Sequence, residues 1–253
     1  MNRLRWEPWL PVLVTLLGLA LWEWKTRSGD LSALYFPAPS EIAKSFVRLL
    51  YDGDLAVNLG ATLKRVFLGF LLGASPGLLI GVMMGRSSRI RSIADPFVAA
   101  LHPIPKIAIL PLFMIIFGIG ETSKVMVIAV AVFFPLVINA AAGVREIHPV
   151  HFEVARNFGA GPVRVFTSVM LPGALPLILA GVRLGLNIAL LVTIAIELLA
   201  VQTGLGKMMW FAWQTMRTEE LYVSLFVTAA VGIGLNVCLE GLRRYLVPWQ
   251  ESE

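Results

Sequence analysis

This sequence is poor in cysteine, histidine and charged side chains. It has one cysteine, Cys238, and three histidines among 253 residues. A single cysteine excludes a disulfide within the chain, and the few histidines do not have the spacing of a metal site. Charged residues make up 15% of the chain, against about 25% in an average soluble domain. These shortages exclude a secreted disulfide-rich scaffold, a disordered chain and an ordinary cytosolic enzyme.

Apolar residues are present in excess, at 57% of the chain. A soluble core of this size cannot bury that much apolar surface, so the composition predicts an integral membrane protein in a lipid bilayer. The net charge is +5, which in a soluble protein would suggest nucleic acid. Here the basic residues lie in short runs between apolar segments, which is typical of orientation in a membrane and not of nucleic-acid binding.

Apolar segments predict an all-α, polytopic membrane protein with about six transmembrane helices, in a single domain that covers residues 1–253. Three segments are free of charge and have the roughly 20 residues that a helix needs to cross the hydrocarbon core. Two others carry charges or prolines, and the first is short. The predicted spans are residues 9–22, 66–84, 96–118, 125–144, 176–200 and 221–239.

The first segment has two interpretations. It follows Arg3 and Arg5, and a basic start before a short apolar stretch is typical of a signal peptide. However, no small-x-small cleavage motif follows, and Trp9 and Trp22 flank the segment as interface anchors do. We therefore expect an uncleaved helix, with cleavage as the alternative. Six spans place both termini on one side, and the arginine-rich segments favour the cytoplasm for that side.

Residues 23–65 form the predicted outer loop. Prolines precede Ser40, which is a good N-cap residue and predicts a helix that begins there. An amphipathic helix of this kind either lies on the outer leaflet or packs on the spans of the protein itself, and the pattern does not separate the two. The apolar side chains that share one face are Ile42, Phe46, Leu49 and Leu50.

Glycine recurs at every fourth position through the second span. Residues four apart lie along one face of a helix, so these glycines make a flat strip where another backbone can approach closely. A shorter version, Gly181 and Gly185, lies in the fifth span. We predict close helix packing at both places. The strip consists of Gly69, Gly73, Gly77, Gly81 and Gly85.

The predicted cytoplasmic segment 145–175 carries the most specific motif. It fits the pattern E-A-A, three residues, G, nine residues, I-x-L-P, and this pattern resembles the cytoplasmic loop of permease subunits of bacterial ABC importers. Val154 stands where the pattern has alanine, and Val169 where it has isoleucine. The motif residues are Glu153, Val154, Ala155, Gly159, Val169, Leu171 and Pro172.

The residues of this loop also suggest a short helical knob. Gly159 can adopt a turn that is closed to other residues, and Pro162 suits the first turn of a second helix. We expect Pro172 to end the element before the fifth span. The apolar stripe predicted for the second helix is Val163, Phe166 and Val169.

Further patterns are similar to the nitrate, sulfonate and taurine importers within that family. The resemblance covers most of residues 66–208. The matching patterns are HPIP at 102–105, LPLF at 110–113, FGIGE at 117–121, FFP at 133–135 with Asn139, and GLG at 204–206.

The resemblance implies a type I ABC importer permease in the bacterial cytoplasmic (inner) membrane. Two copies of the chain would form the pathway, joined by two ATPase subunits and by an external solute-binding protein. The 145–175 loop would dock onto the ATPase and transmit its motion. The implied cargo is a small solute such as a sulfonate, taurine or nitrate, with an aliphatic sulfonate preferred. The alternative is an ion-coupled secondary transporter, which works without an ATPase and uses Glu197 as its proton site.

Sequence motifs for catalysis and for ATP binding are missing. The stretch GLGKM at 204–208 lacks the Ser or Thr and the preceding glycine of a phosphate-binding loop. We therefore predict no catalytic residue, no metal site and no cofactor in this chain, with ATP and magnesium bound by a partner ATPase.

Charged and proline residues inside the spans are candidates for the translocation pathway, because they are costly in lipid. Arg183 and Glu197 lie 14 residues apart on one span, or about 21 Å at 1.5 Å per residue, so they cannot pair with each other. Each is either a pathway residue or a structural one. The candidates are His102, Pro103, Pro105, Lys106, Asn139, Arg183 and Glu197.

Overall fold

A computed structural model of the chain describes residues 9–200 and 202–249. Arg3 and Arg5, which the sequence assigns to the inner side, lie outside the described residues. Helices joined by short connections make up the described part, which contains no strand. In chain order the α-helices are α1 (Leu10–Arg27), α2 (Pro39–Tyr51), α3 (Asp54–Arg86), α4 (Ser88–Leu101), α5 (Leu110–Phe117), α6 (Glu121–Glu146), α7 (Pro149–Asn157), α8 (Pro162–Val165), α9 (Leu171–Ala200), α10 (Leu205–Gln214) and α11 (Thr218–Leu246).

Four helical stretches in the described residues are long and apolar enough to cross a membrane, namely α3, α6, the continuous stretch Pro162–Ala200 and α11. The bent pair Ser88–Leu101 and Lys106–Phe117 adds a fifth if it is one broken span. The expected all-α, polytopic architecture is confirmed. The helix that contains the predicted span 9–22, α1, carries three charged residues near its C-terminal end and is not among these spans.

Helix α6 lies at the centre of the bundle, with α3 packed along one side. The predicted glycine strip of α3 is confirmed, because each of its glycines faces α6. A Cβ atom on Gly77 would lie 2.9 Å from the Cβ of Leu136, which is closer than two carbon atoms can approach. Only glycine allows the two backbones this separation.

The order of the contacts gives the direction of each helix. Gly69 meets Ile128 and Gly85 meets Val144, so α3 and α6 run parallel. The chain between them must therefore return across the bundle, which supports counting the bent pair as one crossing. Gly181 meets Asn139 and Gly143 meets Ala174, so α9 runs antiparallel to α6.

The region expected as outer loop is largely helical. Helix α3 already begins at Asp54, so residues 54–65 are its first turns. Helix α2 packs on the protein itself, since Ile42 and Leu49 are buried in a cluster with Leu205 and other apolar residues. Phe46 and Leu50, on the same apolar face, stay exposed.

The expected N-cap at Ser40 is wrong. Helix α2 begins one residue earlier, at Pro39, and its N-cap position is Ala38. Ser40 instead binds the carboxylate of Glu23, donating from its backbone N–H at 3.0 Å and from its hydroxyl at 2.8 Å. A carboxylate at the end of α1 thus satisfies a free N–H group in the first turn of α2.

Candidate functional site

The segment between α6 and α9 forms an exposed helix–turn–helix. Helix α7 carries Glu153, Val154 and Ala155, and ends at Asn157. Gly159 follows with φ +75°, a left-handed conformation that favours glycine. Its N–H donates to Arg156, and the N–H of Ala160 donates to Ala155 at 2.9 Å. These two bonds form a Schellman motif, which explains why glycine stands at this position.

The second helix of the loop continues into the fifth span. Pro162 occupies its first turn, as expected. The expectation that Pro172 ends the element is wrong, because the helix is continuous over Pro162–Ala200. Proline has no N–H for the regular α-helical ladder. The chain passes it through a π-turn at Phe166–Met170, in which the N–H of Leu171 donates to the carbonyl of Phe166.

The tip of this loop exposes apolar side chains. Val163 is 75% exposed and Phe166 is also exposed, while Val169 is half-buried. Phe158, in the turn, is 88% exposed, and the sequence pattern did not single it out. Its position directly before the turn glycine was the available signal. Large apolar side chains at this exposure suit contact with a second protein.

The expected third span, residues 96–118, is broken at a corner. Helix α4 ends at Leu101, and the helical stretch after it starts at Lys106 at an angle of 90°. Pro103 and Pro105 lie in this corner and have no N–H group with which to continue α4. His102, directly after α4, packs its ring 5.6 Å from that of Phe134.

Lys106 closes the corner. Its ammonium group donates to the carbonyl oxygens of Leu101, His102 and Ile104 at 2.7–2.9 Å, and lies 4.5 Å from the centre of the Phe134 ring. Lys106 therefore satisfies three carbonyls of the corner. One of them belongs to Leu101, four residues before Pro105, which has no N–H to donate to it. These contacts favour a structural role for Lys106, while the assignment of Lys106 and the corner prolines to the pathway stays a prediction.

Glu197 lies in a buried cluster that joins α3 to α9. Its carboxylate accepts hydrogen bonds from Arg65 at 2.7 Å, from the hydroxyl of Thr62 at 2.9 Å and from the N–H of Gly206 at 3.0 Å. Arg65 also binds Glu121 at the start of α6. Of the two alternatives for Glu197, the contacts favour the structural one.

The same cluster holds the start of α10. Thr62 accepts from the N–H of Leu205 at 2.9 Å, and Asn58 accepts from that of Gly204 at 2.7 Å. Gly204 has φ +131°, and a Cβ atom there would collide with the Glu197 carboxylate. Arg65 was predicted to lie in the outer loop, residues 23–65. The available sequence signal for its role in the cluster was that Arg65 lies three residues after Thr62, which places the two side chains on one helical face.

Arg183 lies near the middle of α9 and pairs with α11. Its Nε donates to Asn236 at 2.9 Å, and Asn236 in turn donates to Asn187 at 3.0 Å. Arg183 is also one of the residues that line a cavity of about 620 Å³ between α6, α9 and α11. Asn139 differs, since its side-chain N–H donates to the Pro135 carbonyl of its own helix at 2.8 Å.

Comparison with known proteins points to one family. Residues 77–252 match the family described as binding-protein-dependent transport system inner membrane component. The chain is 35% identical to the taurine transport system permease protein TauC of Escherichia coli (strain K12), over 98% of this chain and 94% of that protein. It is 36% identical to the putative aliphatic sulfonates transport permease protein SsuC of Bacillus subtilis (strain 168), over 95% and 87% of the two chains.

Solved structures show the same fold. The inward-facing MetNI methionine ABC transporter matches with a TM-score of 0.64 at 19% identity, over 73% of this chain and 92% of that chain. A second match, an amino acid ABC transporter with histidines, has a TM-score of 0.59 at 19% identity, over 81% of this chain and 97% of that chain.

Proposed function

This chain belongs to the binding-protein-dependent transport system inner membrane components, and we propose that two copies of it form the pathway of an ATP-driven importer for a small organic anion. The chain is a membrane-spanning permease of the ABC importer kind. The observation that carries the proposal is the exposed helix–turn–helix between α6 and α9, with Phe158 and Val163 at its tip. ATP and magnesium belong to a separate ATPase subunit that docks there.

The loop is built to transmit movement. Because the helix is continuous over Pro162–Ala200, a displacement of its first turn acts directly on α9. At the far end of α9, Glu197 is tied to Arg65 of α3 and to the start of α10. We propose that ATP binding draws the loops of two copies together, opens the pathway outward to an external binding protein, and that hydrolysis resets it.

The proposed orientation places this loop and both termini in the cytoplasm of a bacterium. The ends of α3 and α6 that carry Arg86 and Arg145 lie at the same end of the bundle, because the two helices run parallel. A concentration of arginines at one end is typical of the cytoplasmic side.

An aliphatic sulfonate is the proposed cargo. Relatives at 35–36% identity are named as taurine and aliphatic sulfonate permeases, and a nitrate import permease is 27% identical. These solutes share an oxyanion, which arginine binds well. Arg183 is the residue proposed to meet it, since it lines the 620 Å³ cavity and donates to Asn236 through Nε.

Purification from the native membrane in mild detergent tests the proposal. We expect an ATPase subunit to copurify in equal amount with the chain, and transport of a radiolabelled sulfonate in proteoliposomes to require ATP. Transport by the chain alone in an ion gradient would contradict it and favour a secondary carrier. No contact of Glu197 supports that alternative, because the carboxylate is held by Arg65, Thr62 and Gly206.

A further inference from the structure

Four arginines from four helices converge on one cavity. It has a volume of about 420 Å³ and lies where the end of α3, the start of α4, the end of α6 and helix α7 meet. We call it the arginine cavity. Apolar side chains such as Val144 and Phe152 complete its wall. The arginines that line it are Arg86, Arg91, Arg145 and Arg156.

These arginines lack negative partners in the part of the chain that the structure describes. No aspartate or glutamate lines the cavity, and none of its four arginines forms a salt bridge to a described carboxylate. Six of the other nine arginines in the described residues do pair with glutamates, namely Arg27, Arg48, Arg65, Arg217, Arg243 and Arg244. Like charges around one cavity repel each other unless an anion neutralises them.

The position of the cavity identifies the anion. Two of its arginines end the membrane-crossing helices α3 and α6, so it lies at the level of lipid headgroups. Helix α4 beside it turns Ile90 towards α3 and α6 and exposes Ile93 and Phe97, as a helix at the membrane surface does.

We propose that the arginine cavity binds the phosphate of an anionic phospholipid. Guanidinium groups bind phosphate through charge-assisted, often bidentate hydrogen bonds, and basic pockets at the ends of transmembrane helices suit anionic headgroups. Because Arg156 belongs to α7 and Arg145 to α6, the bound phosphate fixes the helix–turn–helix between α6 and α9 to the ends of the spans. The site does not depend on the cargo or on the proposed ATPase.

Native mass spectrometry of the full chain, purified and delipidated in detergent, tests this site. Phosphatidylglycerol, phosphatidylcholine and inorganic phosphate are titrated in separate arms. We expect phosphatidylglycerol to bind and phosphatidylcholine to bind at least about tenfold more weakly. The double variant Arg86→Gln/Arg145→Gln should lose about 30-fold in affinity, since each arginine near an anionic headgroup contributes about 1 kcal/mol and about 1.4 kcal/mol corresponds to tenfold.

The matched control is Arg243→Gln/Arg244→Gln, which removes the same charge from the end of α11. Its affinity for phosphatidylglycerol should match that of the wild type. If the first double variant does not fold, the single variant Arg156→Gln on an exposed side chain takes its place, with an expected loss of about fivefold for about 1 kcal/mol.

Three results would overturn the proposal. Equal loss in the control variant would show that net charge alone attracts the lipid. Inorganic phosphate that binds as tightly as phosphatidylglycerol would make free phosphate the ligand. Unchanged lipid affinity in Arg86→Gln/Arg145→Gln, together with loss of a copurifying ATPase, would assign the arginines to an acidic protein surface.

Discussion

Glu197 and Arg65 lie 132 positions apart in the sequence and form a 2.7 Å salt bridge. Their side chains are 0% and 4% exposed. A buried ion pair adds little stability over well-packed apolar residues, but the loss of one partner leaves an uncompensated buried charge. The pair therefore fixes the arrangement of α3, α9 and α10. These helices cannot separate near the C-terminal end of α9 without leaving a buried charge unpaired or exposing it.

The variant Glu197→Ala tests this role. We expect it to lower the free energy of unfolding by about 3–5 kcal/mol, because Arg65 loses its buried partner and the N–H of Gly206 loses its acceptor. The melting temperature of the purified protein in detergent is the measurement.

Glu121→Gln is the control for Glu197→Ala. Glu121 binds the same arginine, but its side chain is 56% exposed, so we expect a loss of less than about 1 kcal/mol. A Glu197→Ala protein with unchanged melting temperature and abolished transport would contradict the structural role, and would assign the carboxylate to cargo or proton transfer.

Gly159→Asp tests whether the helix–turn–helix between α6 and α9 docks onto the ATPase subunit. The substitution places a non-glycine residue at φ +75°, a conformation that aspartate adopts less readily than glycine, and adds a charge beside the exposed Phe158. We expect the protein to stay in the membrane, while ATPase copurification and ATP-driven transport fall about tenfold or more.

The matched variant Gly161→Asp introduces the same residue two positions later. Gly161 has φ −69° and is the N-cap residue of α8, a position that suits aspartate. No atom lies within 4 Å of the Cβ position, so the charge is added without backbone strain. ATPase copurification should be largely retained. Equal loss in both variants would show that the added charge matters and the turn does not.

Contacts that follow from local periodicity were predictable from the sequence, whereas those between distant segments were not. The five glycines at a four-residue step predicted close helix packing along one face of α3, because the period of a helix places them on that face. They did not show that α6 is the helix packed there. The Arg65–Glu197 pair joins residues far apart in the chain, and each was interpreted without its partner. Lys106 was grouped with the pathway because a charge inside a span is costly in lipid, and the sequence does not show that the carbonyls of the corner accept its hydrogen bonds. Pro172 was expected to end a helix, since a π-turn has no sequence signal of its own.

Gly77→Leu tests the glycine strip. A Cβ atom there meets Leu136 at 2.9 Å and the Phe133 carbonyl at 2.9 Å, so a leucine forces α3 and α6 apart. Overpacking costs about 1–3 kcal/mol where side chains can adjust, and here backbone atoms are in the way. We expect loss of folded protein from the membrane, measured by fluorescence-detected size-exclusion chromatography. Gly60→Leu on the same helix, with no atom within 4 Å, should express normally, and normal expression of both would contradict the packing.

Lys106→Met separates a structural from a transport role at the corner between α4 and α5. Methionine keeps the apolar stem but leaves the carbonyls of Leu101, His102 and Ile104 without their donor. An unsatisfied carbonyl costs about 1–3 kcal/mol when it is buried and less where water reaches it. We therefore expect a lower melting temperature and a transport rate that falls for every cargo alike. The exposed Lys44→Met, whose ammonium binds only Glu41, serves as the control. Unchanged stability with an altered preference among taurine, an alkylsulfonate and nitrate would contradict the structural role of Lys106. Such a change in preference is expected from a residue that contacts the solute.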